Sequence, residues 1–97
     1  MGISVYTENQ IHDRVYVGGE SSEQLERLLD KAAENGLLAD VGRVGDTMFN
    51  IPQLYRLDAE LTALAESWPE LAADVAVISA MIQRIIRNRG YLRLAGD

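Results

Sequence analysis

The chain has 97 residues, 47% of them apolar and none of them cysteine, which suits one domain (1–97) and excludes disulfides, iron–sulfur clusters and thiolate zinc sites. Its net charge is −6, unevenly placed: residues 1–83 carry 14 acids against five bases, and residues 84–97 carry four arginines against Asp97. An acidic body of this kind argues against nucleic-acid binding, which depends on neutralising phosphates, and is compatible with a basic protein partner.

In chain order, residues 3–8 (ISVYTE) set Ile3, Val5 and Thr7 against Ser4, Tyr6 and Glu8, and residues 14–17 (RVYV) set Val15 and Val17 against Arg14 and Tyr16. Period-two alternation in β-branched and aromatic residues predicts two strands, and the turn-like NQIHD between them predicts a hairpin. Ser21 and Gln24 have capping-box spacing ahead of a helix whose apolar face is Leu25, Leu28, Leu29, Ala32 and Ala33. Glu23 and Arg27 form an i,i+4 pair on it. Asn35-Gly36 is its expected stop.

Residues 37–49 are the least regular part of the chain, and Thr47-Met48-Phe49 reads as a short strand. Asn50 and Gln53 then predict a capped helix through Leu54, Leu57, Leu61 and Leu64. Ser67 and Glu70 have the same spacing, with Pro69 in the first turn of a last helix over about 69–88. Its stripe is Leu71, Val75, Ile78, Ile82 and Ile85, widened by Val77, Met81 and Ile86. So wide an arc belongs to a helix that is central or covered by a second protomer, so a homodimer is an open expectation. Gly90 stops this helix, and Tyr91-Leu92-Arg93-Leu94 reads as a closing strand. The expected class is α+β, a small antiparallel sheet of the N-terminal hairpin and the C-terminal strand, packed against three helices.

GRVGDTMFN, residues 42–50, holds two glycines and an Asp-Thr pair between helices. It lacks the third glycine and the lysine of a phosphate cradle, so it reads as a turn, a core anchor at Phe49 and a helix cap at Asn50. A small-molecule site on this loop is the competing reading. The segment Gly45-Asp46-Thr47, then Phe49-Asn50, together with Tyr91-Leu92, Leu94 and Gly96-Asp97, resembles a family of small uncharacterised actinobacterial proteins. Those proteins share Gly-Asp-Thr-x-Phe-Asn ahead of a leucine-rich helix and a Tyr-Leu-x-Leu/Phe-x-Gly-Asp end. The resemblance covers roughly the second half of the chain and departs at Ile51-Pro52. It implies an architecture and a bacterial or phage source, and no activity.

Chemistry-bearing residues are sparse. His12 is the sole histidine and falls in the hairpin turn, where an exposed histidine without further ligands is the plain reading. Asp58 and Glu60 are two apart on a helix and do not share a face. No G-x-S-x-G, HExxH or Walker-type pattern occurs, so no catalytic residue, cofactor or metal ligand is assigned and an enzyme is not expected. Arg84, Arg87, Arg89 and Arg93 read as cations complementing a helix C-terminus, with phosphate contacts, a bound acidic partner or an intramolecular ion pair as the alternatives. Strand parity puts Tyr6 and Tyr16 on the same sheet face as Glu8 and Arg14, and these four are the candidate protein-contact residues. Cross-strand Tyr–Tyr packing on a solvent face is the bland alternative.

No apolar run reaches the roughly 18–20 residues of a membrane span, and polar residues break any apolar leader core. A cytoplasmic protein is therefore expected. The functional expectation is a non-enzymatic binding module, immunity-type or regulatory, acting on a basic protein. A homo-oligomeric structural protein is the alternative.

Overall fold

Eight residues near the N-terminus, ISVYTENQ, enter the fold as a strand running into a turn, and that strand organises everything that follows. The computed structural model describes residues 3–11, 13–17, 19–31, 41 and 45–96, without the side chains of 19–22, 45, 46 and 96. Strand β1 spans Ile3–Glu8 and β2 spans Arg14–Tyr16, paired antiparallel with Tyr6 opposite Tyr16 and Glu8 opposite Arg14. Asn9 closes the turn: its Oδ1 accepts from the backbone N–H groups of Ile11 (3.0 Å) and Asp13 (2.9 Å). This is an Asx-type turn, in which a short amide side chain stands in for backbone. His12 lies outside the described residues.

Helix α1 spans Gly19–Asp30, so Ser21 sits inside it and is not its cap. Gln24, expected to complete a box with Ser21, is instead buried, and its Oε1 has no hydrogen-bond partner among the described residues. Leu25 and Leu28 are buried as expected. The expected stop at Asn35-Gly36 lies outside the described residues, as do Ala32 and Ala33.

Strand β3 spans Gly45–Phe49, starting two residues before the expected Thr47. Helix α2 spans Ile51–Ser67 and opens with a reciprocal box. Gln53 N–H donates to Asn50 Oδ1 (3.1 Å), and Asn50 N–H donates to Gln53 Oε1 (2.9 Å). The second expected box, Ser67 with Glu70, does not form. Ser67 is the last residue of α2, the break falls at Trp68 (φ −130°, ψ 80°), and a single 3-10 turn over Pro69–Leu71 leads into α3, Ala72–Arg87. The ring of Pro69 disfavours helical backbone in the residue before it, which moves the break to Trp68.

Leu54, Leu57, Leu61 and Leu64 of α2 meet Val75, Ile78, Met81, Ile82 and Ile85 of α3 in one buried cluster. Two polar ties join these helices: Ser79 Oγ and Gln83 Nε2 (3.0 Å) both donate to the Asp58 carboxylate. A third tie is bidentate, with Arg27 of α1 donating through Nε (2.9 Å) and Nη2 (2.8 Å) to Asp74 of α3. Arg27 therefore reaches across to another helix rather than pairing chiefly with Glu23. The breadth of the α3 stripe has an internal cause, because α3 packs against both α1 and α2 and Met81 is core. Ile86 packs against the core as well, whereas Val77 stays 44% exposed.

Helix α3 ends in a Schellman arrangement: Gly90 N–H donates to Ile85 O and Arg89 N–H to Ile86 O, each at 3.0 Å. The residue in the left-handed region is Arg89 (φ 55°), whereas the sequence pointed to glycine for that role. Gly90 follows it, and β4 spans Tyr91–Gly96. The sheet order is β2-β1-β4-β3, all antiparallel, so the α+β class holds with one strand more than the hairpin and closing strand. Ile3, Val5, Phe49, Leu92 and Leu94 turn to the helices and are buried with them.

Candidate functional site

The opposite face of the sheet is where the sequence-predicted contact residues collect. In an antiparallel sheet, residues directly opposite one another project to the same side. The registers therefore generate a row across all four strands: Tyr16, Tyr6, Arg93 and Met48. A second row runs Arg14, Glu8, Tyr91. The helices lie on the other side of the sheet, and Tyr16 (55%) and Met48 (41%) keep much of their surface in solvent. The rings of Tyr6 and Tyr16 pack with centroids 5.5 Å apart and tilted by 57°, a geometry that suits aromatic quadrupoles.

Parity thus brings Tyr6, Tyr16, Arg14 and Glu8 together as expected, but Glu8 does not present itself to solvent. Its side chain is fully covered. Arg93 Nε donates to Glu8 Oε1 at 2.7 Å and Arg14 Nε donates to the same oxygen at 3.1 Å. Arg93 Nη2 also reaches Glu8 Oε2 (3.5 Å) and the Met48 thioether sulfur (3.3 Å). Charge-assisted bonds of this kind allow a carboxylate to sit without water. Glu8 is therefore the anchor beneath the surface, and Arg14 is the more exposed of the two cations above it.

The two cations are unequally engaged. Arg93 is mostly covered, at 16% side-chain exposure, while Arg14 is half exposed at 50%. Arg14 gives Glu8 only its Nε, so both terminal NH2 groups lack an acceptor among the described residues. Arg93, Tyr91 and Met48 were not singled out as contact residues from the sequence. Arg93 was grouped with the helix-terminal cations as well as with the closing strand; it lies in that strand and pairs with Glu8, leaving Arg84 and Arg87 in the last turn of α3. The signal that would have found it is the alternation within YLRL, which sets Tyr91 and Arg93 against Leu92 and Leu94.

Other features offer less chemistry. A cleft of about 180 Å³ lies between the hairpin turn and the end of α3, bordered by Asn9, Asp13, Arg84 and Asn88 among others. That is smaller than the roughly 300 Å³ at which small-molecule pockets begin. None of the described side chains of residues 47–50 borders it. Gly45–Phe49 is a strand, Asn50 a helix cap, and 42–44 lie outside the described residues. Strands β3 and β4 lie side by side, with Gly45 opposite Gly96 and Phe49 opposite Leu92. Among the described residues no group of three or more His, Asp or Glu side chains is arranged to hold a metal ion, and no helix is long and apolar enough to cross a membrane. No family model matches the chain, and neither a curated protein nor a solved structure does.

Proposed function

We propose that this chain is a non-enzymatic protein-binding module, immunity-type or regulatory, that works in the cytoplasm and engages its partner through the open face of the sheet. The observation that carries this reading is the row Tyr16, Tyr6, Arg93, Met48, left uncovered by the helices. Tyrosine, arginine and methionine are the residue types enriched at protein interfaces, because each offers large contact area with a polar or adaptable end. The rigid sheet beneath them means little backbone ordering is lost on binding. A net charge of −6 supports a partner of overall basic character, drawn in by long-range attraction.

A pull-down from the source organism tests this with two variants beside the wild type: Tyr16→Asp on the sheet face and Val77→Asp on the exposed side of α3. Both positions are exposed, so both variants should fold. The expected result is a protein partner lost with Tyr16→Asp and kept with Val77→Asp. Recovery of only nucleic acid or metabolites, or loss with Val77→Asp alone, would overturn it.

A further inference from the structure

Among the described side chains of the sheet face, the charges run opposite to those of the molecule. Only Glu8, Arg14 and Arg93 are ionised there, two guanidiniums on one carboxylate, in a chain whose total is −6. Glu8 is wholly covered and takes Nε from both arginines, and the two terminal NH2 groups of Arg14 have no acceptor among the described residues. Arg14 and Tyr16 are two residues apart on one strand, so their side chains share the same face. A planar fork of two N–H donors matches the two oxygens of a carboxylate.

Resting on the reading of this face as the contact surface, we infer that the group it receives is a carboxylate, delivered to Arg14 by an acidic segment of the partner. One unspent guanidinium suffices for one carboxylate. A nucleic acid asks for several cations along its backbone and meets an acidic body on approach. The flanking Tyr16–Tyr6 pair gives the segment an apolar wall beside its charge. A partner that is basic overall still fits, because net charge governs long-range approach and the local pair governs docking.

The test places the photo-crosslinker benzoylphenylalanine at Tyr16 in the full chain, expressed in the source organism, and maps the captured segment by mass spectrometry. The expected segment is protein and carries Asp or Glu beside the crosslink. Affinity for that purified partner should fall at least about tenfold with Arg14→Gln. Arg14→Glu should weaken binding further and recover when the partner's acidic residue is changed to Arg. A captured segment that is neutral or basic, a phosphopeptide or RNA, or an affinity unmoved by Arg14→Gln, overturns the carboxylate while leaving the sheet face in place. Capture of no protein at Tyr16 overturns the reading of the face itself. Arg14 is half exposed, so Arg14→Gln is expected to fold, and its circular dichroism should match wild type.

Discussion

Gly90 passes so close to Glu8 that a Cβ added to it would stand 2.6 Å from the Glu8 carbonyl oxygen. The contact is backbone on backbone, so no flexible side chain can move aside. Gly90→Ala should therefore destabilise the protein by about 1–3 kcal/mol, the cost of forced overpacking. Urea denaturation measures it. A cost under about 0.5 kcal/mol, the level of an ordinary surface change, would show that β1 and the α3–β4 turn can part freely.

Arg89, one residue earlier, holds the left-handed conformation that glycine adopts without steric cost. Arg89→Gly should raise stability by about 1 kcal/mol. For a domain this size that is a rise of about 4–8 °C in Tm. Thermal denaturation gives the sign directly.

Glu8 and Arg14 form an ion pair whose members should differ sharply on truncation. Glu8→Ala leaves the largely covered Arg93 without its carboxylate, and losing one member of a buried pair costs about 3–5 kcal/mol. Arg14→Ala removes a half-exposed, solvent-screened partner and should cost about 1 kcal/mol or less. Equal losses in equilibrium unfolding would mean that Glu8 is not the anchor of the face.

Arg27 holds the Asp74 carboxyl below its ordinary range, chiefly through their hydrogen bonds and despite some desolvation. A carboxylate with a depressed folded pKa adds stability above its unfolded pKa and loses it as pH falls through the folded value. Stability should thus decline as pH drops from about 5 through the folded pKa of Asp74, and Asp74→Asn should remove that part of the decline. Unfolding measured across this range compares the two slopes.

Phe49, the core anchor of the Gly45-to-Asn50 segment, is only 3% exposed. Phe49→Ala should cost about 3–5 kcal/mol. A loss below about 1 kcal/mol, as for an exposed side chain, would reopen a binding role for that loop.

Patterns that depend on near neighbours were legible in the sequence. The alternation of ISVYTE, the spacing of Leu54, Leu57, Leu61 and Leu64, and the Asn50–Gln53 box all describe what the structure contains. The same four-residue spacing misled at Ser21 and Ser67, since a box forms only if its first residue is extended. Pro69 assigned that role to Trp68, and α1 had already begun at Gly19. What no local pattern held was partnership at a distance. Arg27 meets Asp74 47 positions away, and Glu8 meets Arg93 85 positions away. Side-chain parity placed Glu8 on the correct face, but its burial follows from Arg93, whose strand had no known neighbour until β4 was seen between β1 and β3.

That position of β4 also orders events in time. The hairpin and β3 have no ladder between them and meet only through Tyr91–Gly96, the last of the described elements in the chain. Until β4 arrives, β1 has only β2 beside it and β3 has no strand partner at all, and the ladder that sets Ile3 opposite Gly96 joins residues far apart in sequence. Contacts so distant in sequence form late, because the entropy of closure falls due before any bond is made. The helices can assemble on local instructions, whereas the open face of the sheet is complete only once β4 has docked.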